Sequence, residues 1–161
     1  MEQIKKIESF LSNTEKTLIL AIGSELKTDD SVGMYIADEL LKFNFNKEKV
    51  CIIKGATAPE NFTGEIKKFR PEKMLIIDAA DTNKTPGEID IIDANLVQGA
   101  SFSTHMMPIN IFIDYLLQHF DCKILIVGIQ PENLEFGMEL TSKIKKSANT
   151  LVKLIKNKIK S

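Results

Sequence analysis

The sequence predicts a three-layer α/β/α domain built on a mostly parallel, twisted five-stranded sheet plus an antiparallel edge strand or hairpin. Three observations carry that expectation. Short, nearly unbroken apolar runs at 17–22, 50–53, 74–78 and 123–128 have the pattern of strands covered on both faces. Stripes of apolar residues at helical spacing separate them. After the Thr85-Pro86-Gly87 turn, Glu88-Ile89-Asp90-Ile91 alternates as a half-wet strand does, which gives the antiparallel piece.

Taken in order, residues 2–12 read as a short amphipathic helix with Ile4, Ile7 and Leu11 on one side. The first strand ends at Gly23, and a polar loop carries Asp29 and Asp30 to the start of a helix marked by Gly33, Ile36, Ala37, Leu40 and Leu41. Either aspartate can serve as its N-cap. After the second strand, Thr57 and Glu60 have the spacing of a capping box, Pro59 suits a first turn, and Phe62, Ile66 and Phe69 line one face until Pro71. The third strand ends in Asp78. A later stripe of Ile109, Phe112, Ile113, Leu116 and Phe120 follows His105, and a helix over 141–158 turns Ile144, Ala148, Leu151, Val152, Ile155 and Ile159 inward. The chain of 161 residues is read as a single domain, 1–161, with no repeats or linkers.

Composition excludes several classes. A net charge of −1 leaves no basic excess for nucleic acid, and the lysines at 143–160 alternate with apolar positions as the wet face of one helix. Cys51 and Cys122 lack partners at metal or redox spacing and read as small buried hydrophobes. The charged N-terminus has no signal-peptide pattern and no apolar run is long enough for membrane insertion, so a cytoplasmic location is expected. There is no Gly-x-Ser-x-Gly elbow, no Gly-x-Gly-x-x-Gly or Walker loop, and no His-Glu-x-x-His.

The candidate chemistry lies in three residues. In an open α/β sheet, ligands bind beyond the carboxyl ends of the strands. Asp30 follows the first strand, Asp78 ends the third, and His105 precedes a helix whose dipole favours the neutral imidazole that can ligate a metal. Two carboxylates brought together repel unless a cation or a proton lies between them, and with one imidazole they make a plausible site for a first-row metal. Capping and turn formation are the competing readings for the acids. His119 reads as a helix-end histidine near solvent.

At these residues the chain resembles the [NiFe]-hydrogenase maturation endopeptidases. The similarity runs through Ile22-Gly23-Ser24, Leu26, Thr28-Asp29-Asp30 and Val32-Gly33, then Leu75-Ile76-Ile77-Asp78-Ala79 with Pro86-Gly87, then His105. Ala58-Pro59-Glu60-Asn61, His105-Met106-Met107-Pro108-Ile109-Asn110 and Gly128-Ile129-Gln130-Pro131 are similar to the branch serving formate-hydrogenlyase-type hydrogenases. The resemblance covers about residues 17–155.

It implies that Asp30, Asp78 and His105 ligate nickel, with Asp30 and Asp78 also the catalytic carboxylates. It also implies that the nickel is supplied by the substrate, that the partner is a hydrogenase large-subunit precursor, and that the activity is removal of its C-terminal extension. Lys54, Gly55, Ala56 and Thr57 then fall in a box linked to substrate recognition. Ser24 stands where asparagine is usual, and Lys54 where members commonly carry an aspartate.

Two other readings differ in their consequences. A non-proteolytic nickel-sensing or chaperone relative would keep the fold and bind nickel without cutting. A Mg²⁺-binding receiver-like signalling domain also has an acid pair after strand one and an aspartate after strand three. It needs a lysine at the end of the last strand, whereas Lys123 lies at the start, and the piece near 88–92 breaks its regular alternation.

Overall fold

A computed structural model describes residues 2–13, 15–93, 108–137 and 139–159. The chain runs α1 (Glu2–Leu11), β1 (Thr17–Ile22), α2 (Val32–Leu40), β2 (Val50–Ala56), α3 (Thr63–Phe69), β3 (Lys73–Ala79), β4 (Ile89–Ile92), α4 (Ile109–Leu117), β5 (Lys123–Ile129) and α5 (Ser142–Ile159). The sheet order is β2-β1-β3-β5-β4, parallel except where β4 pairs antiparallel with β5. The antiparallel edge is thus one of the five strands.

Alternation along the strands sorts the core into two layers. Ile19, Leu75, Ile77, Val127 and Ile129 face the layer of α1, α2 and α5. Leu18, Leu20, Ile22, Met74, Ile76 and Ile126 face the other, with Ile66 of α3 and Phe112, Ile113 and Leu116 of α4. β1 and β3 are buried at every position, which is why their apolar runs show no period. By the same alternation Asp78 shares the face of Met74 and Ile76, the one that α4 covers.

The topology fixes where a ligand can bind. From β1 the chain passes through α2 to β2 on one side, and from β2 through α3 to β3 on the other. The crevice outside the carboxyl ends of β1 and β3 is therefore the switch point of the sheet. Gly33, in the first turn of α2, presses that helix onto both strands. A Cβ there would lie 2.6 Å from the Ile22 carbonyl oxygen and 2.9 Å from that of Ile77.

Several local expectations need correction. Thr57 and Glu60 form no capping box. The Ala58 N–H closes a turn onto the Gly55 carbonyl at 3.2 Å, so the chain enters a 3-10 turn at Pro59–Phe62 and α3 only at Thr63. Glu60 Oε2 is buried without a hydrogen-bond partner. Leu41 ends α2 and is exposed, while Ile159 is half-buried and Leu154 takes a core place instead. Cys51 and Cys122 are free and only partly buried against the α3–α4 layer. α1 is tied down by an unexpected group, the buried Lys73, whose Nζ donates to the Phe10 carbonyl oxygen at 2.7 Å and to Asn13 Oδ1. A lysine is suited to the open carbonyls of a helix end.

Gly33→Ala should lower stability by about 1–3 kcal/mol, because the clash is with two backbone carbonyls and outweighs alanine's better helix propensity. Urea denaturation followed by circular dichroism measures it, and an unchanged midpoint would refute the close approach.

Candidate active site

β1 ends where its backbone must leave the sheet. Gly23 has φ +141°, and a Cβ there would sit 2.0 Å from the Asp30 carbonyl oxygen and 3.4 Å from Asp78 Oδ1. One missing side chain thus lets the loop after β1 fold back over the end of β3. Asp30 lies in the 3-10 turn Asp29–Ser31, is 5% exposed, and its Oδ2 accepts the Ser24 N–H at 3.0 Å. Asp78 is fully buried, and its Oδ1 accepts the Ala79 N–H at 2.7 Å. Burial first, and the negative charge of Asp30 second, push the Asp78 carboxyl well above the usual carboxylate range, while the Ala79 N–H pulls the other way. A pair so placed holds a proton or accepts a cation.

Neither aspartate makes a side-chain cap to α2, whose N-cap position is Ser31. The two carboxylates divide instead. Asp29 Oδ2 accepts the N–H groups of Glu132 and Asn133, both at 2.9 Å, and Oδ1 accepts that of Thr141 at 2.9 Å, with the Thr141 hydroxyl donating as well. Asp29 is a wholly buried clamp on the loop after β5, and Asp30 is the acid left facing Asp78.

Gln130, quoted above only within the Gly128-Ile129-Gln130-Pro131 motif, is a second clamp. Its Oε1 accepts from Thr82 N–H at 2.9 Å and Lys84 N–H at 3.1 Å, and its Nε2 donates to Asp81 Oδ1 at 3.1 Å. One amide thereby fixes the path of the chain just beyond Asp78. Its signals were that motif and the place of an amide at the exit of a buried strand; neither gave its role.

The 54–57 box is the bent exit of β2. The register with β1 shifts between Ala21 and Ile22, Ala56 has φ +52°, and its carbonyl accepts the Gly23 N–H at 2.9 Å. Gly55 packs on the Ala21 carbonyl and Thr57 is half-buried. Lys54 pairs with Asp38 at 2.8 Å and Glu25 at 3.6 Å, and these partners, Asp38 foremost, raise its pKa and keep it charged. The box thus adjoins Gly23 rather than standing apart from the acids. A surface cleft of about 320 Å³ opens beside α2, lined by Glu25, Met34, Asp38 and Leu140 among others, but neither Asp30 nor Asp78 lines it.

His105 lies outside the described residues, so the structure brings two of the three candidate ligands together and says nothing of the third. Among the described residues no group of three His, Cys, Asp or Glu side chains could by itself hold a metal ion. His119 is exposed just beyond the end of α4, as expected, with its ring tilted against that of Tyr115.

With this geometry in place, similarity to known proteins becomes informative. A family model described as hydrogenase maturation protease (HycI) matches residues 34–158. This chain belongs to the hydrogenase maturation protease family. It is 36% identical over 156 residues, covering 90% of this chain and 91% of the relative, to a Methanocaldococcus jannaschii protein provisionally named a hydrogenase maturation protease. It is 33% identical over 135 residues to the hydrogenase 3 maturation protease of Escherichia coli K12, covering 83% and 85% of the two chains. The crystal structure of the [NiFe] hydrogenase maturation protease HycI from Thermococcus kodakarensis superposes with a TM-score of 0.87 at 28% identity, covering 97% of this chain and 99% of that one. As a member of the family this chain is a hydrolase of peptide bonds. Among its described residues no helix is long and apolar enough to cross a membrane.

The Asp78 shift has a thermodynamic sign. A carboxyl whose folded pKa is raised contributes stability that is fully present below its unfolded pKa and is lost as pH rises through the folded one. The metal-free protein should therefore lose stability relative to Asp78→Asn as pH rises above about 4, by up to about 1.4 kcal/mol per pH unit within that window. Urea unfolding of both proteins across pH 4–8 measures the difference; a constant difference would refute the raised pKa.

Proposed function

We propose that this protein removes the C-terminal extension from the large-subunit precursor of a [NiFe] hydrogenase after nickel insertion, and that Asp30, Asp78 and His105 read the nickel the substrate carries. The observation that supports this best is the convergence of Asp30 and Asp78 on Gly23, at the switch point of the sheet, with Asp78 held toward its protonated form.

Without a cation, burial and the neighbouring Asp30 charge favour the protonated form of Asp78. A precursor that has received nickel offers a positive charge to the same oxygens, so binding and deprotonation are coupled and precursors without metal gain less. Such a contact fixes the substrate near the carboxylates and supplies proximity. The attacking water can be activated by a carboxylate as general base or polarised by the substrate's metal acting as a Lewis acid. Two hydrogen bonds keep the acids in register: Ser24 N–H on Asp30 and Ala79 N–H on Asp78. The Ser24 contact uses the backbone N–H, so it does not depend on which side chain stands at position 24.

Mass spectrometry of a nickel-loaded precursor before and after mixing should show loss of its C-terminal peptide. Asp30→Ala, Asp78→Ala and His105→Ala should each slow cleavage at least roughly a hundredfold. A variant that cuts at the wild-type rate removes that residue from the site. Nickel binding with no cleavage by the wild type would favour the non-proteolytic reading.

A further inference from the structure

Beside the acid pair, two loops are bound into one rim. β3 lies between β1 and β5, so the loops leaving those strands meet beyond the end that carries Asp78. The Asp29 carboxylate draws them together, and the backbone completes the strap. Thr28 N–H donates to the Glu135 carbonyl at 2.9 Å, Asp29 N–H to that of Asn133 at 2.9 Å, and Gly137 N–H to that of Leu26 at 3.0 Å. The Thr28 hydroxyl also donates to the Glu135 carbonyl, at 2.8 Å. Yet this tightly held rim presents apolar side chains to water. Phe136 is 79% exposed, Leu26 64% and Leu134 42%.

We propose that Leu26, Leu134 and Phe136 form a preorganised apolar lip on which the hydrogenase large-subunit precursor docks. The inference rests on the processing role proposed above and names the surface that role requires. Asp78 is wholly buried and Asp30 nearly so, and the loop that carries Asp30 is strapped to the loop that carries Phe136, so a protein drawn to the acids has this rim beside it. Leu26 lies in the same loop as Asp30, and Phe136 is bridged to Lys27, so the lip is continuous with the site. The hydrogen bonds keep the loops from folding their apolar groups inward, and a rigid aromatic loses little entropy on docking. The fitting partner is a folded protein with an apolar recess for a phenyl ring and a leucine near the bond to be cut.

Phe136→Ser and Leu26→Ser alter exposed side chains and should leave the thermal unfolding midpoint unchanged. With purified nickel-loaded precursor, each should raise KM roughly tenfold while kcat stays at the wild-type value. Leu41→Ser, at the far end of α2 and 53% exposed, should change neither. An unchanged KM, or a fall in kcat at constant KM, overturns the lip. If Phe136→Ser splits a wild-type dimer and leaves KM unchanged, the lip is a contact between copies and the proposal fails. Should the wild type cut no precursor, the processing role fails separately, and calorimetric titration of the same precursor judges the lip. Binding weakened by Phe136→Ser supports it; equal affinity, or no binding by the wild type, overturns it.

Discussion

Two carboxylates held together out of water are the constraint around which this fold is arranged. Placing Asp78 at the end of a strand buried on both sides would be costly for an isolated anion, and the second acid makes it costlier. The rest of the domain supplies what holds them there. Gly33 lets α2 lie against the carbonyls of both strands, Gly23 lets the loop pass over the end of β3, and two apolar layers fix the sheet beneath. Stability and chemistry oppose each other at Asp78. A group that weakens the fold as it ionises is stabilised in its ionised form by any positive charge placed beside it.

The adjacent acids show how one turn can separate structure from chemistry. In the 3-10 turn Asp29–Ser31, Asp29 reaches across to residues 132–141 while Asp30 reaches back to Ser24. The first carboxylate is satisfied by three backbone N–H groups and a hydroxyl and has little left to offer a ligand. The second accepts a single protein N–H among the contacts described and keeps acceptor capacity toward Asp78. The clamp also orders the neighbouring loop, so the rim and the site share one anchor.

Much of this was legible in the sequence because burial writes itself in periodicity. The apolar runs of β1, β3 and β5, the alternation of Glu88-Ile89-Asp90-Ile91 and the stripe of α5 each marked an element and, for α5, its buried face. Asp30 and Asp78 were legible as candidates for one edge because parallel strands bring their exits to the same end of the sheet; that β1 and β3 lie side by side is what the fold adds. What sequence could not show depends on contacts between distant residues. Nothing local distinguishes Asp29 from Asp30, since the deciding partners lie more than a hundred positions away. The role of Gln130, though the residue stood in a quoted motif, was hidden likewise, because its partners are the loop at 81–84. The capping box failed for a local reason of another kind: the chain after Gly55 goes through a 3-10 turn at Pro59–Phe62 and α3 starts only at Thr63, so Thr57 is not the N-cap of either element. His105 rests on its sequence position and resemblance alone.

Lys54 shows why a charge is best read with its surroundings. Alone, a lysine in place of an aspartate reverses the sign of that corner. In the fold it is held between Asp38 of α2 and Glu25 of the loop after β1, and Asp38 is close enough to hydrogen-bond it. One cation between two carboxylates leaves the corner with a net negative charge. These pairs are partly exposed and each adds only modestly to stability. Their consequence is positional, because Lys54 draws together β2, α2 and the loop that carries Leu26 toward Asp30. A partner approaching this edge therefore meets an acidic corner beside an apolar rim, although the residue at position 54 is basic.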